Sequence, residues 1–352
     1  MSIDRRRLVT SIAALIGSGA LGTISAATGQ QALKRVRLLL NTSFSGPQAW
    51  FLLAEDLGYF RREGLQLEMT TGAGAYTAAP RFAGGAFDFG YGDINALIEV
   101  AAREPAKAPI AVFTAFNASP STIAVDADGP IKSPKDLEGK HIIGHDTDVA
   151  LRTFGAFCKS TGLDRSRVRT SGSWGGMSGM VEQMLGSSEV HGVFGYVSTL
   201  VASIAASNPG LAKRVRYIRY ADHVPDLYGS ALFTTQRKLA EDPASVHGIV
   251  KSFNAGLVAL LRDLDAGIAS VLKRSGSSRD VEMLRLVTTL EIEMAHAEGR
   301  RLGIGDVDDA RLDRAIALIA ATNGLPRIPR AREVFVRDFL PPLSERVTSL
   351  AK

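Results

Sequence analysis

Twice in succession this sequence runs through a short apolar strand, a small or polar loop and an amphipathic helix, and an alternation of that kind leaves few folds open. In the first block, strands are read at 36–40, 65–69, 87–91 and 110–116, with helices over 48–57, 75–82 and 94–102. Gly58 stops the first helix, and Gly92-Asp93 reads as the turn after the third strand. In the second block, strands are expected at 123–125, 141–144, 168–169, 190–197 and 215–220, with helices at 149–160, 177–185 and 198–206. Ser133 followed by Pro134 marks a short capped helical turn. Each block therefore predicts a mostly parallel sheet covered by helices. The strand at 231–235 is expected to return to the first block, giving lobe 1 as 34–124 with 231–345 and lobe 2 as 125–230. The connections between lobes are placed near 124–130 and 220–231. From Pro243 the chain turns helical, with Val246, Val250, Phe253, Leu257, Leu260 and Leu264 on one apolar face and Leu312, Ile316 and Ile319 on another.

Residues 1–31 stand apart from this alternation. Arg5-Arg6-Arg7 precede an apolar run from Leu8 to Leu21 and then Ser25-Ala26-Ala27, the charged, apolar and small-residue order of an export signal. The arginines resemble a twin-arginine signal, with Leu8 where Phe is usual. Cleavage between about Ala26 and Ala32 is expected, with a retained membrane anchor as the rival, and the mature protein is placed in the periplasm. Removal of three Arg and one Asp lowers the formal charge from +5 to +3. The densest remaining basic cluster, Lys213, Arg214, Arg216 and Arg219, comes with no nucleic-acid reading element, so no nucleic-acid partner is expected. With one cysteine, Cys158, no internal disulfide can form, and 352 residues at 45% hydrophobic must hold two lobes by packing alone.

The stretch Phe51-Leu52-Leu53-Ala54-Glu55-Asp56-Leu57-Gly58-Tyr59-Phe60-Arg61-Arg62-Glu63-Gly64-Leu65 is similar to the opening signature of the NMT1/THI5-like superfamily of substrate-binding proteins. Phe87-Asp88-Phe89-Gly90-Tyr91-Gly92-Asp93 and Lys132-Ser133-Pro134-Lys135-Asp136-Leu137-Glu138-Gly139-Lys140 agree in the same order, and the likeness runs from about Val36 to Val201. The resemblance implies a type II periplasmic-binding-protein fold, two α/β lobes joined by a two-stranded hinge, with ligand in the cleft. It further implies a monomeric receptor that captures one small organic solute for an inner-membrane ABC permease. A pyrimidine-like compound, an aromatic carboxylate and a sulfonate all remain open. The family also holds a synthase branch with a cysteine-rich iron-binding motif, from which a chain with Cys158 alone departs. No catalytic residue, metal or cofactor is expected; a thiamine-pyrimidine-synthase-like enzyme and an exported ligand sensor are the alternatives.

In a parallel α/β sheet the ligand crevice lies beyond the carboxyl ends of the strands, so candidates are sought in the loop after each strand. In lobe 1 these are Thr42, Ser43 and Phe44; Thr71, Gly72 and Gly74; Tyr91, Asp93 and Asn95; and Asn117. In lobe 2 they are His145, Asp146, Thr147 and Asp148, then Trp174, Tyr196 and His223. Gly72 and Gly74 would let backbone N–H groups approach a ligand oxygen, or would simply make a tight turn. Asp93 either caps a helix or faces the cleft, where it would select a donor-rich ligand. Trp174 and Tyr196 offer flat surfaces for clamping a ring, or belong to the lobe core. His145, Asp146 and Asp148 lack the spacing of a closed metal-ligand set. Glu291, Glu293, Asp306, Asp308 and Asp309 are read as solvated charge.

Overall fold

The computed structural model describes residues 32–350, so the expected export signal lies outside the described residues. Lobe 1 opens with β1 (Lys34–Leu39), α1 (Ala49–Asp56), α2 (Tyr59–Arg62), β2 (Leu65–Thr70), α3 (Ala75–Ala83), β3 (Phe89–Asp93), α4 (Ile94–Arg103) and β4 (Pro109–Thr114). Lobe 2 follows as β5 (Ser121–Asp126), β6 (His141–Gly144), α5 (Val149–Arg152), α6 (Phe154–Thr161), β7 (Arg169–Gly172), α7 (Met177–Gly186), β8 (Gly192–Tyr196), α8 (Val197–Ser207) and β9 (Val215–Arg219). The chain returns through β10 (Ser230–Thr235) to a helical region: α9 (Gln236–Glu241), α10 (Pro243–Arg262), α11 (Leu264–Leu272), α12 (Arg279–Thr288), α13 (Ala297–Leu302), α14 (Asp309–Thr322) and α15 (Ala331–Val334). A π-helical turn, Thr289–Met294, joins α12 towards α13.

The two five-stranded sheets have the orders β2-β1-β3-β10-β4 and β7-β6-β8-β5-β9. They are mixed rather than mostly parallel. β10 is antiparallel to β3 and β4, and β5 is antiparallel to β8 and β9. The reason is the crossing itself: β4 and β9 both end at the cleft, so the strand that enters the other lobe starts there and must run against its neighbours. Because Ser121 already pairs with Tyr196, the first crossing falls at 115–120, ahead of the expected 124–130. The second runs through 220–229.

Two local expectations also shift. Gly92 and Asp93 continue β3 instead of turning, paired with Ala231 and Ser230. A Cβ on Gly92 would sit 2.5 Å from the Ala78 Cβ, so glycine is what lets α3 lie on this strand. The helix expected over 149–160 breaks at Thr153, whose hydroxyl donates to the Val149 carbonyl, leaving α5 and α6.

The core of lobe 1 follows from the apolar faces. On α10, Val246, Val250, Phe253, Leu257 and Leu260 are fully buried, while Leu264 opens α11 and is half-buried. Phe253 stacks on Phe51 of α1 at 5.0 Å, and burying one such ring contributes about 1.5–3 kcal/mol. Gly256 permits this packing, since a Cβ there would meet the Trp50 carbonyl oxygen at 2.3 Å. On α14, Leu312, Ile316 and Ile319 are fully buried as the spacing predicts.

The two connections between lobes lie side by side: Gly229 N–H donates to the Phe116 carbonyl at 3.0 Å. A buried ion pair, Arg311 with Glu298 at 3.1 Å, pins them to lobe 1. Arg311 donates to the carbonyls of Pro225 and Leu227, and Glu298 accepts from the Tyr228 hydroxyl and from Asn117 Nδ2.

Candidate functional site

Where the carboxyl ends of the two sheets face each other, a cavity of about 430 Å³ lies between the lobes. Lobe 1 contributes the loop after β1, with Asn41, Thr42, Ser43 and Ser45, together with Gln48 and the loop Gly72, Ala73 and Gly74. Lobe 2 contributes His145, Thr147 and Asp148 after β6, Tyr196 at the end of β8, and Ser198 and Thr199 in the first turn of α8. Arg285 of α12 and Glu293 of the π-helical turn complete the wall, with Phe116 at the hinge. A larger hollow of about 540 Å³ lies among the C-terminal helices, lined by Leu261, Leu264, Leu290 and Met294. It touches no strand end, whereas the interlobe cavity sits where the fold gathers polar loops.

Local structure explains each placement. Gln48 is fixed by a buried network: its Oε1 accepts from the Ser45 hydroxyl, and its Nε2 donates to Asn41 Oδ1 at 2.8 Å. The N–H groups of Gly72 and Gly74 donate to the carbonyls of Thr42 and Asn41. They are therefore spent inside the loop pair and are not aimed at a ligand, which corrects the sequence expectation. Gly72 has a packing reason, since a Cβ would stand 2.1 Å from the Leu40 carbonyl oxygen. Gly74 has a conformational one, with φ at +133°. Its Cα position also brings the lobes together, because a Cβ would lie 3.3 Å from Thr147 Oγ1 across the cleft.

Three carboxyl groups surround Tyr196 and are held well above their ordinary range by burial. Asp93, fully buried, is pushed up to about 7 against the opposing pull of hydrogen bonds from Asn95. Glu293, also buried, is pushed up to about 7, and Asp148 up to about 6. Burial together with these neighbouring carboxylates raises the Tyr196 phenol well above its usual value, so it stays protonated. Its hydroxyl is buried beside Asp93, close enough to favour that group's charged form against the effect of burial. Glu293 Oε1 accepts the backbone N–H of Ser198 at 2.8 Å, and Oε2 accepts from Thr289 at 3.1 Å. A carboxylate carried by the C-terminal region therefore caps α8 of lobe 2, where the helix dipole favours negative charge.

Of the candidates sought at the strand ends, Thr42, Ser43, Gly72, Gly74, His145, Thr147, Asp148 and Tyr196 line the cavity. The others do not. Tyr91 is fully buried among Trp50, Phe51 and Phe253. Asp93 caps α4 through Asn95 N–H, and Asn95 donates to Asp93 and to the Tyr228 carbonyl. Asn117 is tied to Glu298 and to the Asp306 carbonyl. Phe44 packs on the lobe 1 core, and Thr71 is exposed. Asp146 is exposed on the outer side of its turn, beside Gly172. Trp174 stands 93% exposed, with no ring stacked on it, and His223 packs edge-on against Phe157. Glu293 and Asp306 are not solvated: both are buried, Asp306 between Arg337 and Arg346.

Sequence reasoning missed Gln48, Arg285 and Glu293. Gln48 carried a signal, since it follows Pro47 at the mouth of a helix in the expected cleft. Arg285 and Glu293 carried none, because they reach the cleft from a helical tail whose charges look like any solvated face. Among the described residues, no group of three His, Cys, Asp or Glu is arranged to hold a metal ion.

Two α/β lobes of this topology, enclosing a polar cavity at their facing strand ends, define a type II periplasmic-binding-protein fold. Residues 47–265 match the family described as NMT1/THI5 like, and the chain belongs to that family. Its structure is similar to the alkanesulfonate-binding protein SsuA from Xanthomonas axonopodis pv. citri bound to MOPS, at 15% identity and a TM-score of 0.62, covering 86% of this chain and 98% of that one. It is equally similar to the periplasmic aliphatic sulphonate-binding protein SsuA from Escherichia coli, at 16% identity and a TM-score of 0.61, covering 85% and 91%. The desulfurization enzyme DSZB shares the fold at 13% identity and a TM-score of 0.55, covering 87% and 97%. None of the curated proteins matches this sequence.

Proposed function

We propose that the mature protein is a periplasmic solute receptor that closes around one small organic molecule and presents it to an inner-membrane ABC permease. The observation that carries this reading is the interlobe cavity: about 430 Å³, walled by hydroxyl, amide and carboxyl side chains from both lobes, and bridged by paired hinge segments. Such a site binds best when both halves touch the ligand, so the ligand shifts an open–closed equilibrium towards the closed form. The permease then needs only to recognise that form.

An enzyme on this scaffold is the second reading, favoured by the shared fold of a desulfurization enzyme. Against it stands the nucleophile inventory. The chain's one cysteine, Cys158, is buried in α6 with its thiol pushed up to about 12 by burial, and it lines neither cavity.

Purification without denaturation, followed by native mass spectrometry, tests the proposal. A stoichiometric co-purifying solute is expected, released unchanged on unfolding. Thr147→Trp, which fills the cavity from lobe 2, should abolish its retention. Chemical conversion of the released compound, or equal retention by the variant, overturns the receptor reading. Pyrimidines, aromatic carboxylates and sulfonates are the compounds to screen first.

A further inference from the structure

The larger hollow, of about 540 Å³, and the interlobe cavity share a partition. Along the segment from Arg285 to Met294 the side chains divide between them: Arg285 and Glu293 line the cleft, while Val287, Leu290 and Met294 line the hollow. Leu290 and Met294 are buried, so the π-helical turn is held on one side by the hollow's wall. On the other side Glu293 Oε1 accepts Ser198 N–H of lobe 2 at 2.8 Å. A second wall of the hollow comes from α13, where Gly299 lies against the hinge: a Cβ there would stand 3.4 Å from Asn117 Oδ1. The residue before it, Glu298, carries the hinge ion pair with Arg311.

What can fill the hollow follows from its lining. Its volume falls within the range of about 300–1,000 Å³ usual for small-molecule sites. Leu261, Leu264, Leu290, Met294, Ile304 and Leu350 give it an apolar interior that offers water few hydrogen bonds, so an apolar guest displaces weakly held solvent. Charge at the mouth is balanced, with Glu291 and Arg300 both exposed beside the hydroxyls of Thr348 and Ser349, and selects no ionic head group. One polar handle remains further in. Half-buried His296 accepts the Glu298 N–H at Nδ1, at 3.2 Å, and burial with the nearby Arg311 guanidinium holds its pKa below the usual 6.5. The neutral ring therefore carries its proton on Nε2, a donor for a guest's oxygen.

We propose that the hollow is a second ligand site, taking a neutral and largely apolar small molecule with one hydrogen-bond-accepting oxygen, and that a guest there pins the π-helical turn and with it the Glu293 contact to lobe 2. The site does not rest on the receptor reading. Filling it favours the lobe arrangement that Glu293 and Ser198 hold, and so couples two cavities that share no lining residue.

Acetophenone and ethylbenzene, close in shape and different in the carbonyl oxygen, are the probes. Ligand-observed NMR up to millimolar concentration should show acetophenone binding more tightly by about fivefold, the worth of one neutral hydrogen bond. His296→Asn keeps an oxygen to cap the Glu298 N–H but withdraws the donor from the hollow, and should remove that difference. Ala295→Trp, at an exposed lining position, should block both probes, whereas Thr147→Trp, which fills the cleft, should leave them bound; thermal melts confirm that the variants fold. Hydrogen exchange reads the coupling with no cleft solute needed. Acetophenone should slow the Ser198 amide at least about fivefold, while Gly139 N–H, bonded to the Arg167 carbonyl within lobe 2, stays unchanged. No binding by wild type, as when another segment or a second copy covers the hollow, overturns the site, as does loss of binding in Thr147→Trp alone. Equal affinity for the two probes overturns the assigned chemistry, and unchanged Ser198 exchange overturns the coupling. Failure of the receptor reading is seen separately, as the absence of any co-purifying solute.

Discussion

Removing the charge of Glu293 should change how the stability of the unliganded protein depends on pH. In the fold, burial pushes this carboxyl up to about 7 from its ordinary 4.5. Between those two values the folded chain keeps a proton that the unfolded chain has released. Stability contributed by this proton is fully present below about pH 4.5 and is lost as pH rises through about 7. The difference between 4.5 and about 7, at about 1.4 kcal/mol per pH unit, comes to about 3 kcal/mol. Glu293→Gln cannot titrate, yet it can preserve both hydrogen bonds of the carboxylate, to Ser198 N–H and Thr289 Oγ1. The other groups around it, Arg285, Asp93, Asp148, Tyr91 and Tyr196, are common to both proteins and cancel to first order in the difference. Urea unfolding of ligand-free wild type and variant at half-unit intervals from about pH 4.5 to about pH 8.5 is the assay. The variant should gain about 3 kcal/mol on wild type across that range, most of it between about pH 5 and about pH 7. Parallel stability profiles would show that Glu293 is charged at ordinary cost in the fold and would refute the desolvation argument.

Other consequences are independent of this site. Arg311→Met leaves Glu298 buried without its cation beneath the hinge and should cost about 3–5 kcal/mol in urea unfolding; a loss under about 1 kcal/mol would mark the pair as solvated. Gly74→Ala places a side chain at φ +133° and should cost about 1–3 kcal/mol, read as a lowered melting temperature, whereas an unchanged melt would show that the lip loop relaxes freely. Cys158 should be silent to a thiol reagent in the native protein at about pH 8 and react once per chain in concentrated guanidinium; prompt native labelling would contradict its burial in α6.

Most of the fold was legible because its signals are local. Strand, loop and helix follow one another at short range, and Val250, Phe253 and Leu257 sit at spacings that only a helix brings onto one face. What the sequence does not display is strand direction. An apolar pentapeptide such as 231–235 reads the same whether it runs with or against its neighbours, and β5 and β10 are reversed by a property of the whole path, because the chain reaches both from the cleft side. The same indifference to path explains the crossing at 115–120, since nothing within Ser121–Asp126 tells which sheet it joins.

The site divides along a similar line. The loops after β1, β2 and β6 and the end of β8 were found because the α/β rule ties them to strand ends, and the cavity gathers Thr42, Gly72, Thr147 and Tyr196 from them. Asp93 obeys the same rule and misses the cavity, because continuing β3 by two residues turns its carboxyl onto Asn95 as a helix cap. Beside Asp148, the acidic part of the wall comes from Glu293, about two hundred residues downstream of Asp93, in a π-helical turn that follows α12. A π-turn adds a residue to the helical circuit and so rotates the residues after it towards a different neighbour. The solvated reading rests on charged side chains being rarely buried, and no local pattern marks this glutamate as an exception. Glu293 thus reaches the cavity through a local irregularity in an element that owns no strand end, a signal that the strand-end rule does not carry.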